Sequence, residues 1–177
     1  MPNPTLTHSD KATLKVLYSM IFTYNKRKYP DHPYPLASKA FTVTKTSQLE
    51  QAVLKLFRLY GYESMKITHV AGRPLGSDKV TYNVITGKRQ TLDKAKYIPT
   101  TGMTGSADLE GPVFLKDGSK TTLAIEIKNQ YTHDRMRAHQ IEFQRKHEAD
   151  GGLYVVIRSI TEAMQWVDQN LHKRVNY

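Results

Sequence analysis

The sequence predicts an α/β domain layered around a mixed central sheet, and three observations predict it. Apolar stripes at helical spacing recur near both ends of the chain. The stretch Thr121 to Lys128 alternates apolar and polar residues, as a strand does. LYVVIR, just after Gly151-Gly152, is the almost continuous apolar run expected of a buried strand. The expected order is helix, helix, strand, a long hairpin-like region, an aspartate turn, a hairpin into the Glu-x-Lys strand, helix, buried strand and helix.

Each element has its own signal. Ser9 or Asp10 is a candidate cap for a helix running to about Lys26. Leu14, Leu17, Ile21 and Tyr24 form its stripe, to be packed on the main body or on a second copy. Lys26, Arg27 and Lys28 complement the helix end, and the prolines of YPDHPYP then make a connector. Thr46 or Ser47 begins the next helix, with Leu49, Val53, Leu56 and Tyr60 buried and Gly61 as the stop. Ser47-x-x-Glu50 fits a capping box, but Glu50 also lies beside the buried stripe. Met65 to Val70 reads as a strand, broken by Gly72, Pro74 and Gly76. VTYNVIT is strand-like, Thr86-Gly87-Lys88 resembles a turn, and Lys88, Arg89, Lys94 and Lys96 form a basic string suited to a phosphate clamp or a solvated hairpin. Asp117-Gly118 signals the turn of a hairpin that leads into Thr121 to Lys128. His133 to Ala149 reads as a helix whose stripe Met136, Phe143 and His147 is interrupted by Gln140, with Gln144 beside it. A buried glutamine costs stability unless it is hydrogen-bonded. Ser159-x-x-Glu162 caps a last helix with Met164, Val167 and Leu171 inside, and the tail HKRVNY reads as mobile.

The chain has 177 residues, enough for one domain with a core, and a formal net charge of +10. Its pI of about 9.7 favours a polyanionic partner, nucleic acid before a membrane surface. With no cysteine, disulfides and thiolate zinc sites are excluded. No apolar run suggests a membrane span and no signal-peptide core is present, so an intracellular, cytoplasmic protein is expected.

The chemistry concentrates between Gly105 and Asn129. On the strand, Leu123, Ile125 and Ile127 point to the core, while Ala124, Glu126 and Lys128 share the other face. The hairpin can return Asp108 to the same place. Two carboxylates, with the Ile127 backbone carbonyl as a third ligand, suit Mg²⁺ or Mn²⁺. Such an ion binds a phosphate oxygen and acidifies a water that Lys128 can hold. Glu-x-Lys alone is also what any half-exposed strand shows.

TGSADLEG around Asp108, LAIEIKN around Glu126 and Lys128, AHQIEF with Gln140, and GGLYVVIRSITEAMQWV together resemble the PD-(D/E)xK nuclease superfamily, and within it the VRR-NUC family. The resemblance runs from about Thr46 to Leu171. It implies a three-layer restriction-endonuclease-like core in residues 46–177, with residues 1–45 as an N-terminal helix and Pro-rich connector. It implies Asp108 and Glu126 as metal ligands, Lys128 orienting water, Gln140 as the helix glutamine, and Glu50 as the acid of the first core helix, reaching the ion through water. The function implied is Mg²⁺- or Mn²⁺-dependent hydrolysis of DNA, with structured DNA such as junctions, flaps or ends as substrate. Junction cutting would suit a homodimer, and a stand-alone nuclease would suit a bacterium or phage. Ala107 departs from the superfamily proline, and the insertion from Pro74 to Lys96 is long. Two other readings stand beside this one: a silent nucleic-acid-binding module on a nuclease fold, and a weaker histidine metal site using His133, His139 or His147, whose spacings do not converge on one ion.

Overall fold

The computed structural model describes residues 5–32, 41–68, 106–132 and 134–174, and the strand backbones at 73–75, 79–82, 89–93 and 96–98. It forms two compact units. One comprises residues 1–68 with 105–177, the other residues 69–104.

The larger unit is α/β. Its helices are α1 (His8–Lys28), α2 (Thr46–Leu59), α3 (Ala138–Ala149) and α4 (Ile160–Asn170). Its sheet is formed by β1 (Lys66–Ile67), β6 (Leu109–Phe114), β7 (Lys120–Ile127) and β8 (Leu153–Ile157), in the order β1-β6-β7-β8. The first three strands are antiparallel. The α3 crossover returns β8 parallel to β7, so the sheet is mixed.

Alternation along β7 decides which side holds the core. Leu123, Ile125 and Ile127 are buried among residues from α1, α2 and α4. α1 brings Leu14, Leu17 and Ile21 to this core, so its stripe packs on the body of its own chain. The other face of the sheet meets α3, where Phe143 packs on Tyr154 at a ring separation of 6.3 Å.

Several helix boundaries differ from expectation for identifiable reasons. Thr7 caps α1, its hydroxyl accepting from the Asp10 N–H at 3.2 Å. Asp10 is therefore not the cap, and its carboxylate turns inward, 1 % exposed. There it accepts from Gln130 Nε2 at 2.8 Å, the Tyr131 hydroxyl at 2.9 Å and the Thr161 hydroxyl at 2.7 Å, which ties α1 to the loop after β7 and to α4. Lys45 stands at the N-cap of α2 with no side-chain bond, so Ser47 and Glu50 form no capping box. Helix α3 starts at Ala138 rather than near His133, because the Gln140 side chain caps the Arg137 N–H at 2.9 Å. His133 itself lies outside the described residues. Ser159 caps α4 as expected, accepting from the Glu162 N–H at 3.1 Å.

Three further expectations change. The first strand is confined to Lys66–Ile67, and residues 69–70 lie outside the described residues. The apolar run of β8 is mostly half-buried, because β8 is an edge strand and only Ile157 is fully covered. His172 to Arg174 are pinned, with the His172 N–H donating to Phe114 O at 2.9 Å and the Arg174 N–H to Tyr60 O at 3.1 Å. The Asp117-Gly118 turn is as read: Gly118 has φ +86°, which glycine adopts without steric cost, and Asp117 accepts from Ser119.

The smaller unit holds two antiparallel pairs. One joins β2 (Arg73–Leu75) to β5 (Lys96–Ile98), the other β3 (Lys79–Tyr82) to β4 (Arg89–Asp93). Pro74 thus sits in a strand instead of breaking one; a two-stranded ribbon leaves every strand an outer edge, where a missing N–H is tolerated. Of the basic string, Arg89 opens β4 and Lys96 opens β5, while Lys88, Lys94 and the turn at Thr86-Gly87 lie outside the described residues.

Candidate active site

The end of β7 carries the site. Glu126 is 1 % and Lys128 5 % exposed, so this is not the half-exposed charge alternation that any surface strand shows. Burial of two charges is costly unless they pair and their remaining lone pairs and protons are satisfied. Here they do: the Lys128 ammonium lies 3.0 Å from Glu126 Oε1 and 3.3 Å from Asp134 Oδ2. Gln140 Nε2 also donates to Glu126 Oε1, and the Tyr154 hydroxyl donates to Oε2 at 3.3 Å.

The orientation of Gln140 follows from the cap. Its carbonyl oxygen accepts from the Arg137 N–H, which turns the NH₂ end toward Glu126. One side chain starts the helix and holds the carboxylate.

Asp108, immediately before β6, reaches the same place. Its backbone carbonyl accepts from the Thr68 N–H at 2.9 Å, toward β1. Its carboxylate turns the other way and accepts from the Ile127 N–H at 2.7 Å. In extended chain a residue's N–H and C=O point to the same side, so the Ile127 carbonyl also faces the Asp108 edge. The Lys128 N–H points oppositely, to Ile157 O at 2.9 Å.

Burial, then the neighbouring Asp108 charge, raise the Glu126 pKa above its ordinary value; the Lys128 bond opposes them. Burial and the Glu126 charge push the Tyr154 phenol well above its usual range, so it remains a donor.

Asn129 follows Lys128 in the chain. It is buried, its amide donates to Val43 O at 3.0 Å, and its side-chain oxygen accepts from the Tyr131 N–H at 2.9 Å. Val43 has φ +46°, a left-handed conformation that costs a β-branched residue about 1–2 kcal/mol. It lies in the segment leading into α2, which carries Glu50.

Asp108, Glu126, Lys128 and Gln140 are thus brought together. Glu50 is buried on α2, the helix that packs against β7. Gln144 turns to Glu148 at 2.9 Å, away from the site, and His147 faces Thr122 O at 3.2 Å. Tyr154 and Asp134 are partners that sequence reasoning missed. Tyr154 has a visible signal, as the one polar side chain within LYVVI.

Among the described residues no three His, Cys, Asp or Glu side chains gather as a metal site. The donor chemistry still fits a hard cation. Two carboxylates and a carbonyl are all oxygen, and Mg²⁺ commonly uses one or two carboxylates with water and substrate phosphate.

No family model, no curated protein and no solved structure matches this chain.

Proposed function

We propose that the chain is a PD-(D/E)xK nuclease, VRR-NUC-like, with a three-layer restriction-endonuclease-like core, and that it hydrolyses DNA phosphodiester bonds in junctions, flaps or ends. The observation that carries this reading is the buried Glu126–Lys128 pair with Asp108 anchored beside it on the Ile127 N–H. A structural ion pair needs no second carboxylate at its side, and one that raises the first carboxylate's pKa is costly unless a cation joins them.

Asp108, Glu126 and the Ile127 carbonyl would hold Mg²⁺ or Mn²⁺. When bound, the ion neutralises charge on the scissile phosphate and lowers the pKa of a water. Lys128 orients the attacking water and offsets phosphate charge. The water oxygen would form the new P–O bond in line with the ester bond that breaks, giving up a proton to solvent as it attacks, and the leaving oxygen would take a proton from solvent to end as a hydroxyl. Gln140 and Tyr154 are positioning residues, acting through Glu126. Glu50 would reach the ion through water. A homodimer would suit a two-strand cut. No helix among the described residues is long and apolar enough to cross a membrane.

Labelled junction, flap and duplex DNA digested with Mg²⁺ or Mn²⁺ tests this. Asp108→Asn, Glu126→Ala and Lys128→Ala should each abolish cleavage; retention in all three rejects the site.

A second reading, the silent nucleic-acid-binding module, draws on the lack of a three-ligand cluster among the described residues. Calorimetric titration with Mn²⁺ separates the two. Binding lost in Asp108→Asn supports the enzyme, and no binding even with DNA present supports the module.

A further inference from the structure

The larger unit carries a cationic surface at the end of β7 opposite the Glu126 site. Lys120, where β7 begins, and Glu126 stand six positions apart, or about 20 Å at the rise of a strand. Helix α2 spans a similar length and ends at the same pole.

Two cavities lie there. One, of about 210 Å³, is lined by the ends of α1 and α2. Lys28 and Lys55 stand 5.4 and 4.9 Å from the Tyr24 ring centroid, and Lys28 stands 5.7 Å from that of Tyr29. The other, of about 710 Å³, is lined by Phe114, Gly118, His172, Lys173 and Arg174. Arg174 lies 4.9 Å and Lys120 5.9 Å from the Phe114 centroid.

Tyr60 links them. It follows the last turn of α2, carries Lys173 5.5 Å from its centroid, and accepts the Arg174 N–H through its carbonyl. The Tyr62 hydroxyl fixes the second cavity's wall, its single hydrogen shared between Phe114 O at 2.9 Å and His172 O at 2.6 Å. The nearby acids are Glu63, at the rim of the first cavity, Asp117, which precedes Gly118 and accepts from Ser119, and Asp168, which accepts from the Tyr60 hydroxyl.

We propose that this aromatic-cationic band is a binding surface for single-stranded nucleic acid, separate from the Glu126 site. Charge complementarity selects a polyanion. The aromatic rings select one with stackable bases, since a duplex hides its base faces while a single strand offers them. The larger cavity has the volume of a small-ligand site, enough for one nucleotide. Tyr29, 45 % exposed, and half-buried Phe114 offer ring surface to a base, with lysine and arginine beside each for the adjoining phosphates.

The test is fluorescence anisotropy of a labelled twenty-nucleotide oligo-dT strand with the full chain in EDTA. Chelation prevents metal-dependent cleavage, so this result is independent of whether the chain is a nuclease. Lys173→Ala with Arg174→Ala should weaken binding about tenfold and reduce the salt slope by roughly 1.4, the value for two phosphate contacts on a single strand. Tyr29→Ala, which removes no charge, should cost about fivefold or more. These positions are exposed, and melting curves matching the parent protein verify folding. Unchanged affinity and slope in the double variant overturn the proposal. So does a Tyr29→Ala protein that binds normally, or equal weakening toward blunt duplex, which would make the band a general phosphate contact.

Discussion

Replacing Asp10 by asparagine tests how α1 is held. The carboxylate is buried and accepts at both oxygens: Gln130 Nε2 and the Tyr131 hydroxyl at Oδ2, the Thr161 hydroxyl and N–H at Oδ1. Asparagine turns one oxygen into an NH₂ donor. Whichever way the amide sits, its NH₂ faces one fixed donor, the Gln130 amide nitrogen or the Thr161 N–H, while the hydroxyl beside that donor can turn to accept, so one hydrogen bond is lost. A bond to a charged acceptor is worth about 1.5–3 kcal/mol, so the expected loss is about 1.5–3 kcal/mol. That is a large share of the ~5–15 kcal/mol that stabilises a typical domain. For a chain of this size it lowers Tm by on the order of 10 °C. Urea unfolding followed by circular dichroism measures it, with an unchanged slope showing that the same surface unfolds. Tyr131→Phe in the same background should be less than additive, because the two substitutions remove a shared bond. A loss below about 1 kcal/mol for Asp10→Asn would refute the view that this carboxylate ties α1 to the loop after β7.

Gln140→Met removes both the acceptor for the Arg137 N–H and a donor to Glu126; thermal melting should show a loss of about 1–3 kcal/mol. The raised pKa of Glu126 sets two pH dependences. Mn²⁺ affinity by calorimetry should fall as pH drops through that raised value, since a proton competes with the ion, and Glu126→Gln should lack this dependence. In stability the sign is opposite. A raised folded pKa gives a contribution present below the ordinary carboxylate value of 4.5 and lost as pH rises through the shifted one, so Glu126→Gln should gain in Tm relative to the parent as pH increases across that window. Gly111→Ala would set a Cβ 2.9 Å from the Met65 Cα and 3.2 Å from its N, backbone that cannot swing aside. The expected cost is about 1–3 kcal/mol in chemical denaturation.

Local chemistry was legible where one element determines it. The alternation of β7, the Asp117-Gly118 turn, the Ser159 cap and the α2 stripe all follow from neighbours in sequence. Asp108, Glu126, Lys128 and Gln140 come together, although spacing alone could not bring Gln140 to Glu126. Three features depend on distant partners and could not be read. Asp10 looked like a cap because its partners lie at Gln130, Tyr131 and Thr161. Tyr154 looked like core because its register with Ala124, next to Glu126, exists only once β8 pairs with β7. Asp134 looked helical because its bond to Lys128 needs the crossover in place. The start of α3 failed for the same reason: a side chain engaged in the site also sets the helix end.

The rung between Thr68 and Asp108 has a consequence for the architecture. It stitches together the two points where the chain leaves for residues 69–104 and comes back. That excursion is topologically a closed loop hung on a β-bridge. By polymer entropy, cutting a closed loop to about a sixth of its length eases closure by only about 1.6 kcal/mol. Grafting, swapping or trimming in this region is therefore inexpensive for the sheet, and lineages could exchange this appendage while the Asp108 anchor stays where it is.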